Sequence, residues 1–358
     1  MAIYKKENGK YIFRKYYTTL TGERKQYKSK EYDSRKDVEN AEANFILKKT
    51  DIQVSSMTFK DLLKSHYQFK KEKVKISTLY DIEKKYKYLN SLNKIKVENF
   101  SLSQFNNWKE EINKLNLSTS SKNSIYKILR SILNYGVKYY DLKIPVLNKM
   151  TNFTSPDELK KEMLFFDYNE FNKFIKEEDN LMWNTFFKLL YFCGLRKGEA
   201  KALTWQDIDF NKHTININKN IISKVNGINW LVSTPKTQGS IRVIQFPKQV
   251  ETGLKSLYNE AIKYKDYNDN RFVFGYTVPL KDTTITKRKN NLCEKAGVKQ
   301  IRIHDFRHSC ASLLINQKAS ITLIAKYLGH TNIATTLNTY SHFYNNEYDE
   351  LMNKINKL

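Results

Sequence analysis

The sequence predicts a multidomain protein, mainly α with α+β parts, and three observations lead there. The chain has 358 residues, more than one domain of about 150 residues accounts for. Its apolar pattern alternates with period two in the first fifty residues, then runs in helical stripes from 58 to 140. A stretch without periodicity, holding Pro145 and Pro156, follows before a mixture of helices and short strands. The expected domains are therefore 1–50, a three-stranded sheet plus helix; 58–150, a helical bundle; and 165–358, a mixed, mainly helical domain with a small antiparallel sheet.

Taken in order, Asn8-Gly9 and Thr21-Gly22 are turn signals flanking strands over Lys10 to Thr18 and Glu23 to Tyr32. Alternation puts Arg24, Gln26, Lys28 and Lys30 on one face of the last strand, a cationic face that fits either a DNA groove or plain solvent. From Ser34 to Lys49 the pattern is helical. In the bundle, Thr58 with Asp61, Thr78 with Asp81, and Ser101 with Gln104 have capping-box spacing. The stripes that follow run through Phe59, Leu62 and Leu63; Leu79, Ile82, Tyr86 and Leu89; and Phe105, Trp108, Ile112 and Leu115. A fourth passes through Ile125, Ile128, Leu129, Ile132 and Leu133. Asp141 to Met163 reads as a linker. Beyond it Asp167 and Glu170 cap a helix, strands are expected at Thr214 to Asn218 and Ile241 to Phe246 with a hairpin across Asn226-Gly227, and helices dominate from Asp282 onward. Trp205, the Phe186/Phe187 pair and the three cysteines read as core.

Lys+Arg of 62 against Asp+Glu of 37 leaves a net charge of +25. That charge calls for a polyanionic partner, nucleic acid or an anionic membrane. Divided at residues 50 and 162, every segment is net positive, so no single tail carries the charge. Apolar residues at 40% exclude a disordered basic chain. The longest apolar run, Phe186 to Leu195, contains Lys188 and is too short to span a bilayer. No secretory signal is expected, and three cysteines without CxxC spacing fit a reducing cytoplasm. Only ten of the 62 basic residues are Arg, so each Arg invites a reason.

Several chemistries lack their residues. There is no G-x-x-x-x-G-K-[ST] for ATP, no H-E-x-x-H, and no carboxylate cluster for two magnesium ions. The informative segments lie between 194 and 340: GLRKGE at Gly194 to Glu199, TPKTQGS at Thr234 to Ser240, HDFRHS at His304 to Ser309, LGH at Leu328 to His330, and Tyr340 ten residues after His330. Each alone is weak; in this order and spacing they resemble the tyrosine recombinase/integrase family, and more narrowly the lambda-type phage and genomic-island integrases. The resemblance covers essentially the whole chain and is sharpest in its last 165 residues or so.

The resemblance implies a catalytic set of Arg196, Lys236, His304, Arg307, His330 and Tyr340, with Glu199 as the acidic residue that orients the site. Lys224 and Lys248 lie near Lys236, whose TPKT context favours it. His308 reads as structural. No cofactor and no metal is implied. Two guanidinium forks suit the non-bridging oxygens of a phosphodiester, which a lysine point charge cannot grip bidentately. Tyr340 would attack to give a 3′-phosphotyrosyl enzyme, with His304 as base, Lys236 as acid to the leaving 5′ oxygen, and His330 on the phosphate. A second strand exchange resolves a Holliday junction. The implied partners are double-stranded DNA at core and arm attachment sites, a homotetramer on DNA, and accessory DNA-bending or directionality factors, with no membrane. The domains become an arm-type DNA-binding domain, a core-binding helical (SAM-like) domain and a catalytic domain, in a bacterial cytoplasm at the nucleoid. A type IB topoisomerase-like enzyme and a non-catalytic DNA-binding regulator are the alternatives. After Tyr340, the residues Tyr344, Tyr348, Leu351, Ile355 and Leu358 form one apolar stripe, read as a helix docking on its own domain or on a neighbouring protomer.

Overall fold

The structure, a computed structural model, describes residues 3–18, 24–47, 57–155, 163–225, 227–235 and 238–340, together with 352, 355 and 356. The chain divides into two compact units, Met1–Leu159 and Lys160–Leu358. Among the described residues no helix is long and apolar enough to cross a membrane.

The first unit opens with an antiparallel sheet of β1 (Ile3–Lys5), β2 (Tyr11–Thr18) and β3 (Arg24–Lys28), in that order. Helix α1 (Arg35–Leu47) covers one face, where Phe13, Tyr17, Val38 and Phe45 are buried together. On the other face Ile12 is buried, while Arg14, Tyr16, Arg24, Gln26 and Lys28 are exposed. The register sets Arg14 opposite Lys28 and Tyr16 opposite Gln26, so Arg24, Gln26 and Lys28 share this face as alternation requires. Lys30 lies past the end of β3. The Arg24 guanidinium sits 4.7 Å from the Tyr16 ring centre, and that of Arg14 sits 5.4 Å from Tyr4.

A helical bundle follows: α2 (Phe59–Lys73), α3 (Ile76–Tyr86), α4 (Leu102–Asn113) and α5 (Thr119–Tyr140). Capping boxes at Thr58/Asp61 and Ser101/Gln104 start α2 and α4. The third expected box is corrected: α3 begins after Lys75, so Thr78 and Asp81 lie inside the helix. The linker reading from Asp141 is corrected too. Leu142, Ile144, Val146, Leu147, Met150 and Phe153 pack into the same core as Leu62, Trp108 and Leu133, because irregular backbone buries apolar side chains without a repeat. Gly136 allows this approach, since a Cβ there would lie 2.9 Å from Leu142 and 3.0 Å from Leu62.

The second unit is built around α7 (Leu181–Cys193), which buries residues on nearly every side. Phe166, Phe171, Phe174 and Phe306 form its aromatic surroundings. The preceding α6 (Tyr168–Lys176) starts at the Asp167/Glu170 capping box. After the short α8 (Lys197–Ala202), strands β4 (Ile208–Asp209), β5 (Thr214–Ile217) and β8 (Arg242–Gln245) make an antiparallel sheet in the order β4-β5-β8. Strands β6 (Asn220–Val225) and β7 (Ile228–Ser233) form the expected separate hairpin. The remaining helices are α9 (Lys248–Ala261), α10 (Asp282–Lys295), α11 (Asp305–Asn316), α12 (Ile321–Leu328) and α13 (Ile333–Tyr340). Trp205, Phe186, Phe187, Cys193, Cys293 and Cys310 are all buried, with the cysteines free.

Candidate active site

Helix ends build the site. Helix α7 stops at Gly194, whose φ of +61° favours glycine and where a Cβ would come within 2.5 Å of Leu328. The chain then places Arg196 at the N-cap of α8. Its backbone N–H donates to Glu199 Oε2 at 2.9 Å, and its Nη1 donates to Glu199 Oε1 at 2.7 Å. The guanidinium remains about one-third exposed, while Glu199 is 2% exposed. Burial works to raise the Glu199 carboxyl, but Arg242 and then Arg196 outweigh it and hold it below the usual carboxylate range.

Arg307 lies in the first turn of α11 and is 2% exposed. It donates from Nη1 to the Gly194 carbonyl at 2.8 Å and from Nη2 to the Leu328 carbonyl at 2.5 Å. Both carbonyls end helices, α7 and α12, where the backbone dipoles leave partial negative charge suited to a buried cation. Burial, then Arg196 and Arg242, push its pKa down to about 9, so it stays charged at neutral pH.

The LGH segment is a helix terminus. Gly329 takes a φ of +71°, and the His330 N–H donates to the Ala325 carbonyl at 2.9 Å, which closes α12 in a Schellman-type cap. His330 Nδ1 and Thr336 Oγ1 share a hydrogen bond of 2.6 Å. Burial, followed by Arg307 and Arg196, lowers His330 to about 4. His304 caps α11 and is exposed at the rim of a cleft of about 600 Å³, lined also by Arg196, Lys197, Thr286, Lys289 and Arg302. Desolvation, then Arg307 and Arg196, hold His304 below its ordinary value.

Tyr340 ends α13 and is 1% exposed, packed among Cys310, Ala311, Ile315, Ile324 and Leu328. Its Oη and His308 Nδ1 share a hydrogen bond of 2.7 Å. Burial pushes the phenol pKa above its ordinary 10, and Arg307 opposes that rise. Lys236 lies outside the described residues. Three residues later the chain passes Gly239 against Thr331, where a Cβ would sit 3.1 Å from Thr331 Oγ1, next to His330.

A profile of the phage integrase family matches residues 161–347, more than half of the chain. The chain belongs to that family. It is a tyrosine recombinase, an enzyme that breaks and rejoins DNA strands at specific sites. Among relatives, the ICEBs1 integrase of Bacillus subtilis (strain 168) is 29% identical over 273 residues, covering 73% of this chain and 72% of that one. The Tn1549 transposon integrase, solved in complex with a circular intermediate DNA, superposes with a TM-score of 0.67 at 19% identity, over 84% of this chain and 100% of that one. The lambda integrase tetramer bound to a Holliday junction gives 0.56 at 14% identity, over 92% and 95%. These two structures share the recombinase's fold.

In this recombinase Arg196 and Arg307 come close enough to His304 and His330 to lower both histidines, and Arg196 close enough to lower Arg307. Two further residues touch this cluster. His308, read as structural, contacts Tyr340 directly. Arg242 pairs with Glu199 through Nη2 at 3.1 Å; the sequence reading did not name it, and its place among only ten Arg is the one signal that could have.

Proposed function

We propose that this recombinase integrates and excises a mobile element through a covalent tyrosine intermediate, with Arg196 and Arg307 gripping the scissile phosphate. The observation that carries this reading is the cluster itself: Arg196 held by Glu199 and Arg307 held by two helix-end carbonyls, with His304 and His330 near both and Tyr340 near Arg307. The phosphodiester's non-bridging oxygens gain charge in the pentacovalent transition state, and preorganised donors stabilise it there. Tyr340 Oη forms a bond to phosphorus as the bond to the 5′ oxygen breaks. Its proton passes to His304, neutral at pH 7 and so able to accept it. Lys236 protonates the leaving 5′ oxygen, and His330 hydrogen-bonds the phosphate. The 3′-phosphotyrosyl link keeps the phosphate bond, so a 5′-hydroxyl of a second duplex reverses the step without ATP or metal. Two rounds make and resolve a Holliday junction.

Tyr340 is sealed in the core in this structure, so it must withdraw from His308 to meet DNA. We place residues 1–50 on arm-type sites through the Arg14, Tyr16, Arg24 and Gln26 face, residues 58–150 on core sites, and residues 165–358 at the chemistry. A tetramer assembles on paired sites with accessory bending or directionality factors, in a bacterial cytoplasm at the nucleoid. Recombination of two attachment sites tests the reading. Deleting residues 1–50 is expected to spare cleavage of a core site and abolish recombination of full attachment DNA. Relaxation of supercoils without exchange between sites would favour the topoisomerase alternative.

A further inference from the structure

Arg242 is the first residue of β8, opposite Ile217 of β5, and its side chain is 6% exposed. A buried guanidinium carries five N–H donors in a fixed plane, and each direction needs an acceptor. Here the directions lead to three different parts of the site. Nη2 donates to Glu199 Oε2 at 3.1 Å and Nη1 approaches Oε1 at 3.4 Å. Nη1 also donates to the Ser240 carbonyl at 3.1 Å, and Nε donates to the Tyr327 carbonyl at 2.9 Å.

Each acceptor belongs to an element that bears a reacting group. Glu199 holds Arg196 by backbone and side chain. Tyr327 lies in the last turn of α12, beside the Leu328 carbonyl that receives Arg307 and three residues before His330, whose N–H closes the cap. Ser240 ends the TPKTQGS segment that carries Lys236. Gly329 leaves the room for this arrangement, since a Cβ there would lie 2.9 Å from Arg242 Cδ and 3.1 Å from its Nη1. At φ +71° the glycine serves the helix cap and the guanidinium at once.

We propose that Arg242 is a positioning residue that sets the two phosphate-clamping arginines and the His330 turn in register. It rests on the reading of Arg196, Arg307 and His330 as the phosphate site. Arg242 is too deeply covered to touch DNA, and acts through Glu199 and the end of α12. Lysine would keep the charge but not the fork, because one ammonium cannot reach three acceptors on separate elements along fixed in-plane directions.

The test uses the full-length protein with Arg242→Lys, Glu199→Gln and the double variant, on a nicked suicide duplex that traps the covalent adduct. Core-site affinity is read by titration and cleavage by single-turnover rate. Arg242→Lys is expected to slow cleavage about 10- to 100-fold, the scale of a misplaced reacting group, while affinity changes less than threefold. The double variant is expected to fall well short of the product of the two single losses, since both break one linkage. A phosphate bearing a neutral methyl in place of one non-bridging oxygen is expected to narrow the gap between parent and Arg242→Lys, because less charge needs clamping. Cleavage by Arg242→Lys at the parent rate would overturn the proposal. So would parallel loss of binding and cleavage in the lysine and double variants, which would assign Arg242 to folding alone. Tyr340→Phe, run alongside, isolates the underlying reading: an adduct in that variant would refute the site assignment, whatever Arg242 does.

Discussion

Replacing His308 by leucine is expected to loosen Tyr340 from its buried seat before any DNA is bound. The leucine keeps an apolar volume against the ring but offers nothing to the phenol, whose Oη now shares a 2.7 Å hydrogen bond with His308 Nδ1. Sealing the tyrosine ring contributes about 1.5–3 kcal/mol, and the hydrogen bond adds about 1 kcal/mol. At about 1.4 kcal/mol per tenfold, a total near 3 kcal/mol leaves on the order of one molecule in a hundred with Tyr340 released. Stranding the hydroxyl costs about 1–3 kcal/mol, which raises the released population by roughly fivefold or more. The assay is ¹⁹F NMR of 3-fluorotyrosine placed at position 340. The parent is expected to give one buried resonance, and His308→Leu a second, solvent-like resonance of measurable intensity. A single buried resonance in both proteins would refute the idea that His308 latches Tyr340.

Affinity for DNA is expected to fall about 10³- to 10⁵-fold between 50 and 200 mM salt, as for a protein releasing counterions at roughly 6–10 phosphates; a flat salt titration would mean that the +25 charge does not engage the backbone. Cleavage is expected to persist in EDTA because the arginines supply the positive charge, and restoration by magnesium of an activity lost to chelator would count against that. In the bundle, His66 is fully buried, with Nε2 3.0 Å from Ser131 Oγ, and burial lowers its pKa to about 4. The unfolded chain therefore takes up the proton first as pH falls below 6.5, and stability drops by about 1.4 kcal/mol per pH unit down to about pH 4, roughly 3 kcal/mol in all. Urea unfolding across that window is expected to be less pH-dependent for His66→Gln than for the parent, and equal slopes would remove His66 from the account.

The elements that were legible in the sequence are those whose causes are local. Thr58/Asp61, Ser101/Gln104 and Asp167/Glu170 cap their helices within one turn, and structure follows the spacing. The Thr78/Asp81 pair has the same spacing but sits within α3, where the Asp81 N–H lies beyond the first turn and bonds within the helix rather than to a cap. Residues 142–153 carried no period, yet they complete the bundle's core, since their burial depends on α2 and α5 rather than on neighbours in sequence. The same distinction holds in the site. Arg196, Arg307 and His330 stand in compact motifs at helix ends, whereas Arg242 meets Glu199 across 43 residues and His308 meets Tyr340 across 32. Those pairings are products of the fold. Lys236, and the tail residues Tyr344, Tyr348, Leu351 and Leu358, lie outside the described residues.

The central claim is that Tyr340 carries the broken strand. Incubating the full-length protein with a nicked suicide duplex, denaturing it, and mapping the retained nucleotide by peptide mass spectrometry tests this directly. The account expects a 3′-phosphate adduct on Tyr340, absent in Tyr340→Phe while that variant still binds the duplex. An adduct mapped to another residue, such as Tyr344, or one formed undiminished by Tyr340→Phe, would contradict it.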